Sequence, residues 1–532
     1  MEAKDLLAVA KKGRSLGYKS FVERKTPELV FVFVEPIGGG AVQAVEELKR
    51  KLKSPRFDYK IHEISLSKEL DVEAKAQGIP EPPLHEMLEN LHPNISLEAK
   101  RINRLQQLGN TLRDRRGNDF LARVAINRIA EYRMKHGMEQ AQGGVPVPKP
   151  LRVAHVIKSI KHKEELTLLK AVYGELLTLI AVSGDHDQQV HNFHPEANTQ
   201  EQNKRLRKEY EVLSAIDQDE GIDNGQQVRD IFYRANLFLN NDRASIDQSL
   251  TTFLDLLFGI KISSPSIDER MMFEAFSASW RSTCLSRQVG AAISDESGEL
   301  VSIGWNDIPF FGGGLATDFE GKGKDALCKS KGRCRSSEEI EKMLKNMYER
   351  LQDADLILKK ASFKKVKAVL KKAGVSELIE FSRAIHAEME ALLSAARTAK
   401  AGISGGTIYV TTYPCENCAK HLITAGIKKI VYIEPYPKSR VLAFFSDFIA
   451  EDNKPAGENQ VSVSQFVGIS HESYPLLFKK RFARKGKDGR CIDSGEKPIP
   501  ITNVYLDSYT LYESSIAQEV SDESKGSAAT SN

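Results

Sequence analysis

The chain has no run approaching the roughly 18 uninterrupted apolar residues that a membrane-spanning helix needs, so a membrane protein is not expected. Cysteine is scarce, six in 532 residues, far too few for a disulfide scaffold. Two of the six stand in one Cys-x-x-Cys, which suits a reducing compartment and a metal better. A strong charge of either sign is also missing. Lysine and arginine number 76 against 72 acidic residues, a net charge of +4 that does not announce a nucleic-acid binder. Aromatic residues make up only 8%, little for the stacking platforms of single-strand binders. The opening "MEAKDLLAVAKKGRSLGYKS" has no apolar core behind its lysines and no small-residue cleavage pattern, so it does not read as a secretory signal. A cytoplasmic location is the expectation.

What is present is two patterns of alternating elements. "ELVFVFVEPIGGG" followed by "AVQAVEELKRKL" reads as strand, glycine-rich turn and amphipathic helix. An arginine-rich helical stretch runs from Leu97 to Lys135. "LRVAHVIKSI" is then a strand, "KEELTLLKAVYGE" a helix and "LLTLIAV" a strand. This alternation predicts a parallel α/β domain over residues 1–262. Beyond the boundary "KISSPSIDER" the order changes to helix, hairpin ("VGAAIS", "LVSIGWN"), helix, strand, helix, strand. That order predicts a second domain over 263–513, a mixed sheet sandwiched by helices, with a charged helical insertion at about 316–380. The small polar tail 514–532 is expected to be disordered.

Within the second domain stand "AIHAEMEALL" and "TTYPCENCAKHLITAG". One imidazole and two thiolates suit zinc, with a fourth position left for water. His386, Cys415 and Cys418 supply that set. The two cysteines share one face at the start of a helix, where the dipole favours thiolate, and Pro414 fits just before its first turn. Glu388, two residues past His386, is placed to move protons without being a ligand. His-x-Glu with Pro-Cys-x-x-Cys is the signature of the zinc deaminases. A lone Cys-x-x-Cys is more often a structural zinc pair or a redox dithiol, but a structural zinc wants a fourth protein ligand and none is evident. Cys328 and Cys334 in "CKSKGRC" leave a second metal site open, whereas Cys284 and Cys491 read as free thiols. The basic run "FKKRFARKGKDGRC" reads as a solvated surface.

From about Glu269 to Arg440 the chain resembles the cytidine and deoxycytidylate deaminase superfamily, and the deoxycytidylate branch most. "QVGAAIS" and "IGWNDIPFFGGG" echo that branch's strand and Gly-x-Asn-x-x-Pro turn. The resemblance implies that Asn306 holds the sugar and that Ala387 contacts substrate. Asp307 stands where the family usually has glycine, which puts the turn's geometry in question.

The glycine-rich turn departs from a phosphate-binding loop, Gly-x-x-x-x-Gly-Lys-Ser/Thr. Aligned on Gly40, the first glycine is Glu35, the lysine is Ala41 and the hydroxyl residue is Val42. Gly38, Gly39 and Gly40 remain as candidate nucleotide contacts in a degenerate P-loop, kinase-like domain. Such a domain joined to this deaminase resembles a bacterial phage-defence family, the antiviral deoxycytidine nucleotide deaminases. That resemblance implies conversion of dCTP and dCMP to dUTP and dUMP, depletion of dCTP, and restraint by a neighbouring inhibitory RNA. A homo-oligomer is expected. The alternatives are a polynucleotide cytosine deaminase, a nucleotide-regulated switch and a structural zinc protein.

Overall fold

The computed structural model describes residues 24–529 apart from 141–145, 185, 195–199, 320–322, 359, 374, 376–381, 399–401, 437–438, 452–455, 458, 482 and 492–496. The opening segment read for a signal lies outside the described residues. The chain divides into two units, Met1–Pro265 with Val467–Asn532, and Ser266–Phe466. Among the described residues no helix is long and apolar enough to cross a membrane.

In the first unit β1 (Leu29–Val34) is buried at all six positions. An apolar run without alternation is what a strand covered on both faces requires. With β2 (Lys60–Ser65), β3 (Val153–Lys158), β4 (Leu177–Ser183) and β5 (Leu237–Asn240) it forms a parallel sheet in the order β5-β4-β1-β3-β2. The turn after β1 leads into α1 (Ala41–Leu52), whose buried Ala41, Ala44, Val45, Leu48 and Leu52 make one apolar stripe. That stripe packs with Phe31, Phe33, Leu250 and Phe253 in the core. The arginine-rich stretch is two helices, Leu97–Arg116 and α2 (Phe120–His136).

The second unit is built on α3 (Ile267–Ser279), the antiparallel hairpin β6 (Gly290–Ser294) and β7 (Leu300–Trp305), and α4 (Arg335–Asp353) in the insertion. Then come α5 (Ala387–Arg397), β8 (Thr407–Thr412), α6 (Glu416–Thr424), β9 (Lys429–Glu434), β10 (Ile449–Glu451) and β11 (Val461–Gln465). The sheet order is β10-β11-β9-β8-β6-β7. β8 lies antiparallel to β6 and parallel to β9. Side chains alternate across a strand, and β8 uses both faces. The Tyr409 hydroxyl donates to Asp268 of α3 at 2.6 Å, whereas Ile408 and Val410 share a core with Ala387 and Ala391 of α5. Helices therefore cover opposite faces of the sheet. At Gly304 a Cβ would stand 2.2 Å from the Ala387 carbonyl oxygen, so only glycine lets α5 settle this close to β7.

Two expectations are corrected. Residues 467–513 pack with the first unit, not the second: β12 (Gly468–Ile469) adds antiparallel to β5. The tail expected to be disordered from 514 belongs instead to a helix, α7 (Asp507–Ala529). Its buried Tyr509 and Glu513 hold it. Glu513 accepts from Arg133 Nε of α2 at 2.7 Å, and the same guanidinium donates to Glu28 at 2.6 and 2.7 Å. A polar composition hid a helix that is anchored by a few buried contacts.

Candidate active site

β7 ends in a turn tied to the start of α5. The Asp307 carboxylate accepts from the Thr283 amide and hydroxyl (2.8 and 2.9 Å) and from the Ile308 amide (2.8 Å). The Asp307 carbonyl accepts the Ile385 N–H at 2.9 Å, which fixes the residue next to His386. The aspartate where the family pattern has glycine is thus a brace.

His386 and Cys415 are the N-cap residues of α5 and α6, both in extended backbone (φ −76°, ψ 153° and φ −79°, ψ 167°). N-cap side chains usually accept from their own helix, but neither of these does; they turn to each other. His386 Nδ1 stands 3.4 Å from both the Cys415 and the Cys418 sulfur. All three donor atoms lie within 4.8 Å of one another. A tetrahedral zinc with Zn–S near 2.3 Å and Zn–N near 2.0–2.1 Å places its nitrogen and sulfur ligands about 3.6 Å apart. The separation and the donor chemistry both fit zinc.

The three donors are strongly coupled to one another. The Cys415 thiol is pulled down to about 4, first by its hydrogen bond with Cys418 and then by His386. His386 is pushed up to about 9 by the Cys415 sulfur, against its own burial. Cys418 is held well above the usual thiol range by Cys415 and by burial. Two helix N-termini favour the negative charge that collects here.

Glu388 lies in the first turn of α5, buried, and burial raises its pKa. It is not one of the three donors, yet it lines the same cavity, about 290 Å³, as His386 and Cys415. Asn306 and Ala387 also line it. Asn306 already uses both ends of its amide on backbone: Oδ1 accepts from Val289 N at 2.8 Å and Nδ2 donates to the Arg287 carbonyl at 2.9 Å. One amide proton and one lone pair remain for a ligand. Gly38, Gly39 and Gly40 belong to the other unit.

Sequence reasoning missed much of the wall. Arg287, paired with Glu434, and Arg383, which donates to the Ala326 carbonyl at 3.0 Å, both line the cavity. Cys284, Cys328 and Cys334 do so as well, but among the described residues none of them joins a group of three metal ligands. The only available signal was that Arg287 precedes "QVGAAIS" and Arg383 precedes the His-x-Glu motif.

A three-donor metal group at paired helix starts, with a buried carboxylate beside it, defines a zinc deaminase site. Residues 265–434 match the family described as "Cytidine and deoxycytidylate deaminase zinc-binding region". The deoxycytidylate deaminase of Enterobacteria phage T4 is 34% identical over 168 residues, 31% of this chain and 77% of that protein. The deoxycytidylate deaminase of Saccharomyces cerevisiae is 26% identical over 235 residues, 42% of this chain and 59% of that protein. A solved dCMP deaminase from cyanophage S-TIM5, in complex with dCMP and dUMP, is 20% identical with a TM-score of 0.22. It aligns with 38% of this chain and 99% of its own. The chain belongs to the cytidine and deoxycytidylate deaminase family, and it is a deaminase.

Proposed function

We propose that the protein is a zinc-dependent hydrolytic deaminase of deoxycytidine nucleotides, taking dCMP to dUMP and dCTP to dUTP with release of ammonia. The observation that carries this is Glu388 buried beside the His386, Cys415 and Cys418 donors at one cavity. Zinc on those donors supplies the Lewis acidity that makes water a nucleophile near neutral pH. Glu388 takes a proton from the attacking water and passes protons on to the ring and the departing amine, so cytosine and water become uracil and ammonia. Burial suits this shuttle, because a raised pKa brings a carboxyl nearer to the operating pH.

Arg287 and Arg383 give the cavity two cations with which to meet a substrate's phosphates. A volume near 290 Å³ lies at the small end of ligand pockets and suits one nucleotide better than a strand. The T4 and T2 relatives are deoxycytidylate deaminases by name, which supports dCMP. The dCTP activity rests on the resemblance to the antiviral deaminases.

We extend that resemblance to the role: depletion of dCTP in phage defence, in the cytoplasm, by a homo-oligomer restrained by a neighbouring RNA. Asn306 and Ala387 remain our candidate sugar and substrate contacts. The parallel sheet with a strand, glycine-rich turn and helix at its centre supports the P-loop kinase-like reading of the N-terminal unit. The test is incubation of purified, zinc-loaded protein with dCMP, dCTP, CMP, CTP and a cytosine-containing single strand, with products resolved by chromatography. Conversion of the deoxynucleotides supports the reading; conversion of the strand alone overturns it.

A further inference from the structure

The glycine-rich turn of the first unit follows β1 and opens α1, the place where a backbone N–H and the helix dipole ordinarily meet a phosphate. The first amide of that helix is already taken here. The Glu35 carboxylate folds back over the turn, and its Oε2 accepts the Ala41 N–H, the first amide of α1, at 2.7 Å. Ala41 holds the position that carries lysine in a working loop.

A cation is nonetheless present, from another strand end. Lys161 Nζ donates to the Glu35 carbonyl at 3.0 Å and to Asp217 Oδ2 at 2.9 Å. Gly40 has φ +87°, and a Cβ on it would meet the Asn241 side-chain nitrogen at 2.0 Å. Asn241 is 1% exposed, and among the described residues neither polar atom of its side-chain amide has a hydrogen-bond partner. A buried amide pressed against such a turn with its donor unused points to an absent acceptor.

We propose that Ala41 N–H, the Asn241 amide and Lys161 border a phosphate-sized anion cradle at this turn, and that the chain's own Glu35 carboxylate blocks it by taking the Ala41 N–H. While Glu35 stands there, a polyphosphate meets a carboxylate in its place and finds the Ala41 N–H already taken. The unit therefore does not take a nucleoside triphosphate at this turn. Burial raises the Glu35 pKa on balance, against the opposing pull of the Ala41 N–H and Lys161. The stability of a variant without added anion is thus no guide, and the informative quantity is its response to anion.

The experiment is thermal unfolding of the full chain against inorganic tripolyphosphate and, separately, ATP. Wild type, Glu35→Gly, Glu35→Gln and Glu35→Gly with Asn241→Leu are compared. Glu35→Gly should gain a saturable rise in Tm that wild type lacks, with an apparent affinity at least tenfold tighter. Glu35→Gln keeps the size of the side chain should Glu35→Gly fold poorly, and it should show a smaller gain of the same sign. Adding Asn241→Leu should abolish the gain, which locates the anion at Gly40 and not among the arginines of the deaminase cavity. Equal stabilisation of wild type and the Glu35 variants, or none in any of them, overturns the proposal. So does a gain that survives Asn241→Leu.

Discussion

Replacing Glu388 by glutamine removes the proton carrier and little else. The side chain is buried in the first turn of α5, and glutamine has nearly its volume, so no void opens and Ala387 and Ala391 keep their packing. Glutamine cannot accept the proton of the attacking water at neutral pH. General acid–base catalysis contributes about 10²–10⁴-fold, which at 1.36 kcal/mol per tenfold is about 2.7–5.4 kcal/mol of barrier. The expected result is a fall in kcat of at least ~10²-fold with KM for dCMP little changed, because the carboxylate acts chiefly in the transition state. Zinc per chain should be unchanged, since Glu388 is not among the donors. Turnover is followed by the absorbance change from cytosine to uracil, and zinc by elemental analysis of the same preparation. Turnover within tenfold of wild type at full zinc removes Glu388 from the proton path. Loss of zinc in step with activity makes it a ligand and refutes the reasoning differently.

Cys415→Ala with Cys418→Ala should lose both zinc and activity; undiminished zinc in that protein would displace the metal from His386. Arg383→Ala should raise KM for dCMP about 10- to 100-fold, the worth of a charge-assisted hydrogen bond, and leave deoxycytidine unaffected; an equal change for both makes Arg383 structural. Arg133→Met strands Glu28 and Glu513 in the interior and should destabilise the first unit by roughly 3–5 kcal/mol in denaturant unfolding. The same cluster sets an acid limit. Burial pushes Glu28 up, but Arg133 and His155 bring it net down from 4.5 to about 2. A lowered folded pKa stabilises above the unfolded value and is lost as pH falls. About 3 kcal/mol should therefore disappear between pH ~4.5 and ~2, and a flat stability profile over that window would refute it.

The metal group was legible because each half of it is local. His386 and Glu388 are two residues apart, Cys415 and Cys418 three, and each pair straddles the start of a helix. Asp307 was visible only as a departure from a pattern. That it braces Ile385, and through it His386, depends on a carbonyl meeting an amide 78 positions along the chain. Cys328 and Cys334 reach the cavity because the insertion folds back on it, and no periodicity encodes that. The C-terminal helix was missed for the same reason: its anchor, Glu513, meets an arginine 380 residues away. Local chemistry is written in spacing, whereas walls and anchors are written in tertiary contacts.

The glycine-rich turn shows how a broken motif can be read further than its breakage. Sequence says that Glu35 has the wrong sign for a phosphate site, that Ala41 lacks charge and that Val42 lacks an oxygen. The structure adds that the wrong sign is bonded to the very amide a phosphate would take. A helix start needs an acceptor near its first amides, and α1 has no side-chain cap at Gly40. A carboxylate six residues back from Ala41 meets that demand. Glu35 thus holds the helix start, while Ala41 packs into the core and Val42 is exposed to solvent. Restoring lysine at Ala41 alone should not restore phosphate binding, because the new cation would find Glu35 before it found a ligand.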